Sequence, residues 1–154
     1  MSINKNYAVF GLGRYGRAVA KELVDNGAEV IVVDSDSKTV EEFSGDFPIC
    51  KCADVTEQEA IKRLGISNID VVVIAITGSF ETSVMATMLC KEAGVKQVIV
   101  KCSDELHRTI LEKVGADMVV LPEKESGTRL AKNILSSGFI DIADISENIS
   151  ILEL

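Results

Sequence analysis

Three glycines set two and three residues apart, in Gly11-Leu12-Gly13-Arg14-Tyr15-Gly16, are the part of this chain most directly suited to chemistry. The first allows a tight turn, the second lets backbone approach a pyrophosphate, and the third lets a helix pack close to a strand. A helix opening at this turn would offer unpaired N–H groups and a partial positive charge to phosphate oxygens. Arg14, inside the turn, carries a guanidinium able to fork onto two such oxygens; as a plain loop cation it would be solvated. Tyr15 stands beside it in the same turn. Asp34 ends the next apolar run and is placed to accept hydrogen bonds from the hydroxyls of an adenosine ribose. Asp36 follows two residues on and adds a second acid to that wall.

Further along the chain come candidates with equally ordinary alternatives. Asp54, in Cys52-Ala53-Asp54-Val55-Thr56, follows the third apolar run and suits either an adenine amino group or the cap of a helix starting near Glu57. Thr77, in Ile76-Thr77-Gly78-Ser79-Phe80, falls in a small polar loop where it or Ser79 would touch ribose or phosphate, or else cap the following helix. Lys101 ends the fifth run and is a second phosphate cation or the partner of Asp104 or Glu105.

The elements that must position these residues follow from period. From Tyr7 to Ser136, short β-branched runs alternate with longer amphipathic stretches, the pattern of βαβ units. The predicted strands are Tyr7–Phe10, Glu29–Asp34, Pro48–Cys52, Val71–Ile76, Gln97–Cys102 and Met118–Leu121. Helices are predicted at Tyr15–Asn26, Lys38–Ser44, Glu57–Leu64, Glu81–Ala93, Glu105–Val114 and Glu123–Ser137. The fold class is therefore α/β: a six-stranded, doubly wound parallel sheet of Rossmann type in the order 3-2-1-4-5-6, whose ligand crevice lies at the carboxyl ends of strands one and four. Residues 1–137 form this domain. Residues 138–154, with broken alternation from Phe139 to Leu152, read as a short extended tail leading toward a lobe outside this sequence, as though the chain had been cut.

Composition narrows the function classes. At 154 residues and 47% hydrophobic, the chain suits one well-buried core. A net charge of -8 argues against a broad nucleic-acid face. No apolar run approaches the roughly 20 residues of a membrane span, so no direct membrane insertion is expected and the expected location is cytoplasmic. The four cysteines, Cys50, Cys52, Cys90 and Cys102, contain no C-x-x-C pair and read as reduced small hydrophobes, and catalysis finds little support. The only histidine, His107, falls on a helix pattern and reads as a helix-surface residue. An NAD-dependent oxidoreductase remains the alternative that the glycine turn alone would allow.

Taken in order, Gly11-Leu12-Gly13-Arg14-Tyr15-Gly16, Val33-Asp34, Ala53-Asp54-Val55-Thr56, Val114-Gly115-Ala116-Asp117 and Leu121-Pro122-Glu123 resemble the N-terminal RCK (KTN/TrkA-N) domain of Trk/Ktr-type potassium-uptake regulators. The resemblance implies a non-enzymatic ligand sensor, a cytoplasmic regulatory subunit that binds ATP, ADP or NAD(H). It also implies assembly as homodimers or larger rings on a membrane potassium-translocating subunit, peripheral to the membrane through that partner. Carried over by position, Gly11, Gly13, Arg14 and Gly16 match the phosphate loop, Asp34 the ribose carboxylate, Asp54 the adenine contact and Lys101 the strand-five cation. Glu123 matches an acidic position near a divalent cation, Mg or Ca, held with ATP. Thr77-Gly78-Ser79-Phe80 departs from the glycine- and asparagine-containing loop of the family. An apolar stripe of Gly127, Leu130, Ala131, Ile134 and Leu135 in the last helix suits contact with a second copy or with its own domain.

Overall fold

The computed structural model describes residues 5–137. The strands are β1 (Asn6–Phe10), β2 (Glu29–Asp34), β3 (Ile49–Cys52), β4 (Val71–Ile74), β5 (Gln97–Lys101) and β6 (Met118–Val120). Between them run α1 (Arg14–Asp25), α2 (Ser37–Phe43), α3 (Gln58–Arg63), α4 (Phe80–Glu92) and α5 (Glu105–Val114), and α6 (Pro122–Leu135) follows the last strand. All six strands lie parallel in one sheet in the order β3-β2-β1-β4-β5-β6. This is the predicted doubly wound order, and it places the switch between β1 and β4, where chain connections leave in opposite directions.

Chain contacts divide the protein into a compact unit ending at Val120 and a second beginning at Leu121. The whole sheet and α1 to α5 belong to the first, whereas α6 belongs to the second. The tail from 138 to 154 lies outside the described residues.

Burial explains why the inner strands are apolar at successive positions. In β1, Tyr7, Ala8, Val9 and Phe10 are all essentially inaccessible, because alternate side chains enter the two faces and both are covered. On one face Tyr7 and Val9 pack with Val30, Val32, Val71, Val73 and Ala20 of α1, and with Phe47, while Val19, Leu23 and Phe43 close the margin. Each such aliphatic side chain contributes roughly 1.5–3 kcal/mol on full burial. At the edge, β3 is different: Ile49, Lys51 and Cys52 are exposed and Cys50 is half-buried.

Two differences from the sequence expectation have local causes. Strand β4 stops at Ile74 rather than Ile76, since Ala75 N–H still pairs with Phe10 O but the chain then turns into the crevice loop. A one-turn 3₁₀ helix, Ile66–Asn68, enters ahead of β4 after Gly65 in left-handed conformation, and it buries Ile66 completely. The Ala116-Asp117 turn has a structural duty. Burial alone would raise the Asp117 carboxyl, but hydrogen bonds from Lys91 Nζ (2.9 Å) and Val98 N–H (2.8 Å), together with the ammonium charge, hold it below the usual carboxylate range. That carboxylate fastens the approach to β6 onto β5 and α4.

Candidate functional site

The glycine turn sits where β1 ends against β2 and β4. Gly11 N–H donates to Val33 O at 2.8 Å, and its φ of +101° is open to glycine without the cost a side chain would meet. A Cβ there would lie 2.4 Å from Ala75 O, and one on Gly16 would lie 1.9 Å from Gly11 O. Both glycines are therefore demanded by the fold itself. Gly13 differs: a Cβ would meet nothing nearer than Thr77 Oγ1 at 3.7 Å. The space above Gly13 is open toward the crevice, which is where a phosphate would approach. Gly13 is also the N-cap of α1 and brings no side-chain cap to the first-turn N–H groups.

Asp34 faces this turn from the end of β2. Its Oδ2 accepts from Leu12 N–H at 2.8 Å and its Oδ1 from Asp36 N–H at 2.9 Å. The carboxylate thus holds the glycine turn and the β2–α2 turn at once, a role no sequence spacing disclosed. Asp36 is the N-cap of α2, accepting from Lys38 N–H at 3.1 Å and from Thr39 Oγ1 at 2.9 Å.

Asp54 lies across the cleft. Neither it nor Thr56 caps α3, whose N-cap is Glu57; instead Asp54 Oδ1 closes a local turn, accepting from Thr56 N–H at 2.9 Å and Thr56 Oγ1 at 2.6 Å. Those two bonds hold its carboxyl below the ordinary range. In the loop after β4, Ser79 caps α4 by accepting from Thr82 N–H at 3.2 Å, which leaves Thr77 facing the site. Lys101 Nζ donates to Thr77 Oγ1 at 3.1 Å and stands 5.8 Å over the Tyr15 ring. The pairing of Lys101 with Asp104 or Glu105 is not what forms; Asp104 caps α5 and Glu105 meets Arg108.

Together these groups wall an open cleft of about 500 Å³. Of the sequence candidates, Gly11, Gly13, Asp34, Asp36, Asp54 and Thr77 line it. Gly16 is buried, Lys101 reaches the cleft through Thr77, Tyr15 lies under the Lys101 ammonium, and Arg14 is exposed at the first residue of α1. Thr39, Thr56 and Thr82 also line the cleft and were not singled out from sequence; their signal was only position one turn into each helix or turn. Among the described residues, the lining holds three carboxylates and no lysine or arginine.

Glu123 occupies the first turn of α6 in the second unit. Among the described residues, no group of three or more His, Cys, Asp and Glu side chains gathers as a metal site would require. His107 is not a free surface residue: its ring stacks on Phe80 with centroids 3.8 Å apart and planes 15° from parallel. Among the described residues, no helix is long and apolar enough to cross a membrane.

A family model described as the TrkA-N domain matches residues 7–122. The chain is 36% identical over 152 residues to the Ktr system potassium uptake protein C of Bacillus subtilis, covering 99% of this chain and 69% of that protein. It is 37% identical over 150 residues to the Ktr system potassium uptake protein A of Vibrio alginolyticus, covering 97% of this chain and 68% of that protein. Among solved structures, the GsuK channel bound to NAD superposes with a TM-score of 0.72 at 18% identity, covering 92% of this chain and 25% of that one. The ADP-bound GsuK structure gives 0.67 at 21%, covering 87% and 34%. At these identities the structural likeness speaks for the fold.

Proposed function

The chain belongs to the TrkA-N family, and from that premise we propose that it is a ligand-sensing regulator of a membrane potassium transporter that binds an adenine nucleotide in the β1/β4 cleft. One observation carries the ligand reading. Gly13, the only glycine of the turn with open space at its Cα, and Asp34 line a single cleft under a helix N-terminus that has no side-chain cap. In the proposed pose the ribose lies on Asp34, the adenine toward Asp54, and the phosphates over Gly13 toward Arg14 and Lys101. GsuK is named as binding NAD in one structure and ADP in another, which supports a cleft serving either ligand. ATP fits the same phosphate path, with Mg or Ca as the divalent cation that would accompany it.

The chain works by binding rather than by turnover, a reading supported by relatives named as potassium uptake proteins and by a cleft whose acids are already engaged with backbone and threonine donors. Calorimetry on nucleotide-stripped protein tests it: NAD(H), ADP or ATP should bind with no conversion of NADH by carbonyl substrates, and failure of all of them to bind would sink the reading. Arg14→Ala should weaken ATP but not adenosine, by about one to two decades for a charge-assisted contact of roughly 1.5–3 kcal/mol. Equal loss for both would place Arg14 in the fold instead.

The proposed location is the cytoplasmic side, peripheral to the membrane through the transporter partner. It is proposed to act as a homodimer or larger ring, with Leu130, Ala131, Ile134 and Leu135 of α6 as the apolar seam against a second copy. Sedimentation at tens of micromolar should give at least a dimer mass, and a monomer would remove this seam.

A further inference from the structure

We propose that Cys50 and Cys52 form a two-thiolate site for one soft d10 cation of the Cu(I) class, set on the sheet edge beside the nucleotide cleft. The residues are two apart on β3, so their side chains share a face. Both thiols point to the α2 side: Cys50 Sγ donates to Val40 O at 3.8 Å and Cys52 Sγ to Ser35 O at 3.6 Å. Among the described residues β3 pairs with β2 alone, and no further strand lies beside the pair; Cys52 is exposed and Cys50 half-buried, whereas Cys90 and Cys102 are buried.

Geometry selects the chemistry. Extended residues two apart have Cα atoms about 6.6–6.8 Å apart with nearly parallel Cβ bonds. A disulfide needs Cβ atoms within about 3.5–4.5 Å, which would pucker a strand held in register by Val32 opposite Cys50 and Asp34 opposite Cys52. One metal ion with metal–sulfur bonds of about 2.3 Å spans two sulfurs roughly 4.6 Å apart, and parallel cysteines reach that by a small inward lean. Hard or tetrahedral ions need more ligands, and no third His, Cys, Asp or Glu joins the pair among the described residues. A linear dithiolate is the arrangement that two sulfurs alone satisfy, and thiolates favour Cu(I).

Binding replaces two S–H protons with the ion: two thiols and one M⁺ give one dithiolate complex of charge −1 and two released protons. Loss of the Cys52 proton also turns its donation to Ser35 O into repulsion between sulfur and carbonyl. Ser35 stands between Asp34 and Asp36, whose N–H bond to Asp34 Oδ1 steadies the ribose carboxylate. Occupation of the pair therefore loosens the nucleotide site; this coupling rests on the nucleotide reading, whereas the thiolate site does not.

The test is anaerobic titration of the reduced full chain with Cu(I) against a chromophoric Cu(I) chelator, with circular dichroism to confirm folding of each variant. Wild-type protein should take up one ion per chain, and Cys50→Ser and Cys52→Ser should each weaken uptake by at least about tenfold. Uptake unchanged in either variant, an ion shared between two chains, or conversion of the pair to a disulfide with no bound metal would overturn the proposal. NAD⁺ or ADP affinity should fall about tenfold in wild-type protein loaded with Cu(I) and stay constant in Cys52→Ser. Affinity unmoved by Cu(I) would overturn the coupling, while one-ion uptake by a chain that binds no nucleotide would uphold the thiolate site and sink the nucleotide reading.

Discussion

Gly16→Ala should fail to reach a stable native fold, while Gly13→Ala should fold normally and lose the nucleotide. The two substitutions add the same methyl group to the same turn, so their difference isolates what each glycine is for. At Gly16 the new Cβ would stand 1.9 Å from Gly11 O, and the atom in its way is backbone that itself bonds into β2 through Gly11 N–H. No rotamer relieves that contact; α1 must move off the sheet, where Ala20 is fully buried and Val19 and Leu23 pack against the core. The cost exceeds the roughly 1–3 kcal/mol of ordinary overpacking, a large part of the 5–15 kcal/mol that holds a typical domain together. At Gly13, φ is −71° and the nearest foreign atom is 3.7 Å away, so alanine fits the protein at a cost within about 1 kcal/mol. It does not fit a pyrophosphate lying on that backbone, and affinity for NAD(H) or ADP should fall at least about tenfold. Urea denaturation and calorimetry on both variants read the two effects separately. Undiminished affinity in Gly13→Ala would move the phosphates away from this turn.

That contrast marks where sequence was informative and where it was not. The parallel sheet and its order were legible because each inner strand is a short run of β-branched residues followed by a helix with its own period, as in Val71–Ile74 and then Phe80–Glu92. The glycine spacing was legible as a motif, but the division of labour within it was not: Gly11 is demanded by Ala75, which arrives just after β4, and Gly16 by its approach to Gly11 O, while Gly13 meets neither. Asp34 was legible as a strand-end acid. Its grip on Leu12 N–H depends on the β1–β2 register, which no local pattern encodes. Asp54 had two readings because an acid just before a helix serves a cap or a ligand equally; the structure replaced the cap with a turn. Cys50 and Cys52 lack C-x-x-C spacing, and their shared face is apparent only once the segment is known to be an edge strand.

NADP(H) should bind much more weakly than NAD(H), because the cleft wall that would receive a 2′-phosphate is acidic throughout. Asp34 already accepts from Leu12 and Asp36 N–H groups, and ribose hydroxyls would add donors to that carboxylate. A 2′-phosphate offers no such donor and brings negative charge against Asp34, with Asp36 two residues on and Asp54 on the same lining. Among the described residues no lysine or arginine lines the cleft, and Lys38, the cation nearest in sequence, is exposed and outside that lining. Two like charges at about 4 Å repel by roughly 4 kcal/mol at an effective dielectric near 20. Solvent in an open cleft reduces this, which leaves an expected discrimination of at least about tenfold, or roughly 1.4 kcal/mol. Asp34→Ala is a poor probe, since it would also release the Leu12 turn. Asp34→Asn keeps an acceptor for Leu12 N–H and removes the charge, so it should narrow the gap between the two cofactors by relieving the repulsion on the 2′-phosphate and weakening the charge-assisted ribose bonds of NAD(H). Titration of both cofactors into nucleotide-stripped wild type and Asp34→Asn decides the matter: equal affinities in the wild type would take the ribose off Asp34, and a gap untouched in Asp34→Asn would assign the discrimination to Asp36 or Asp54 instead.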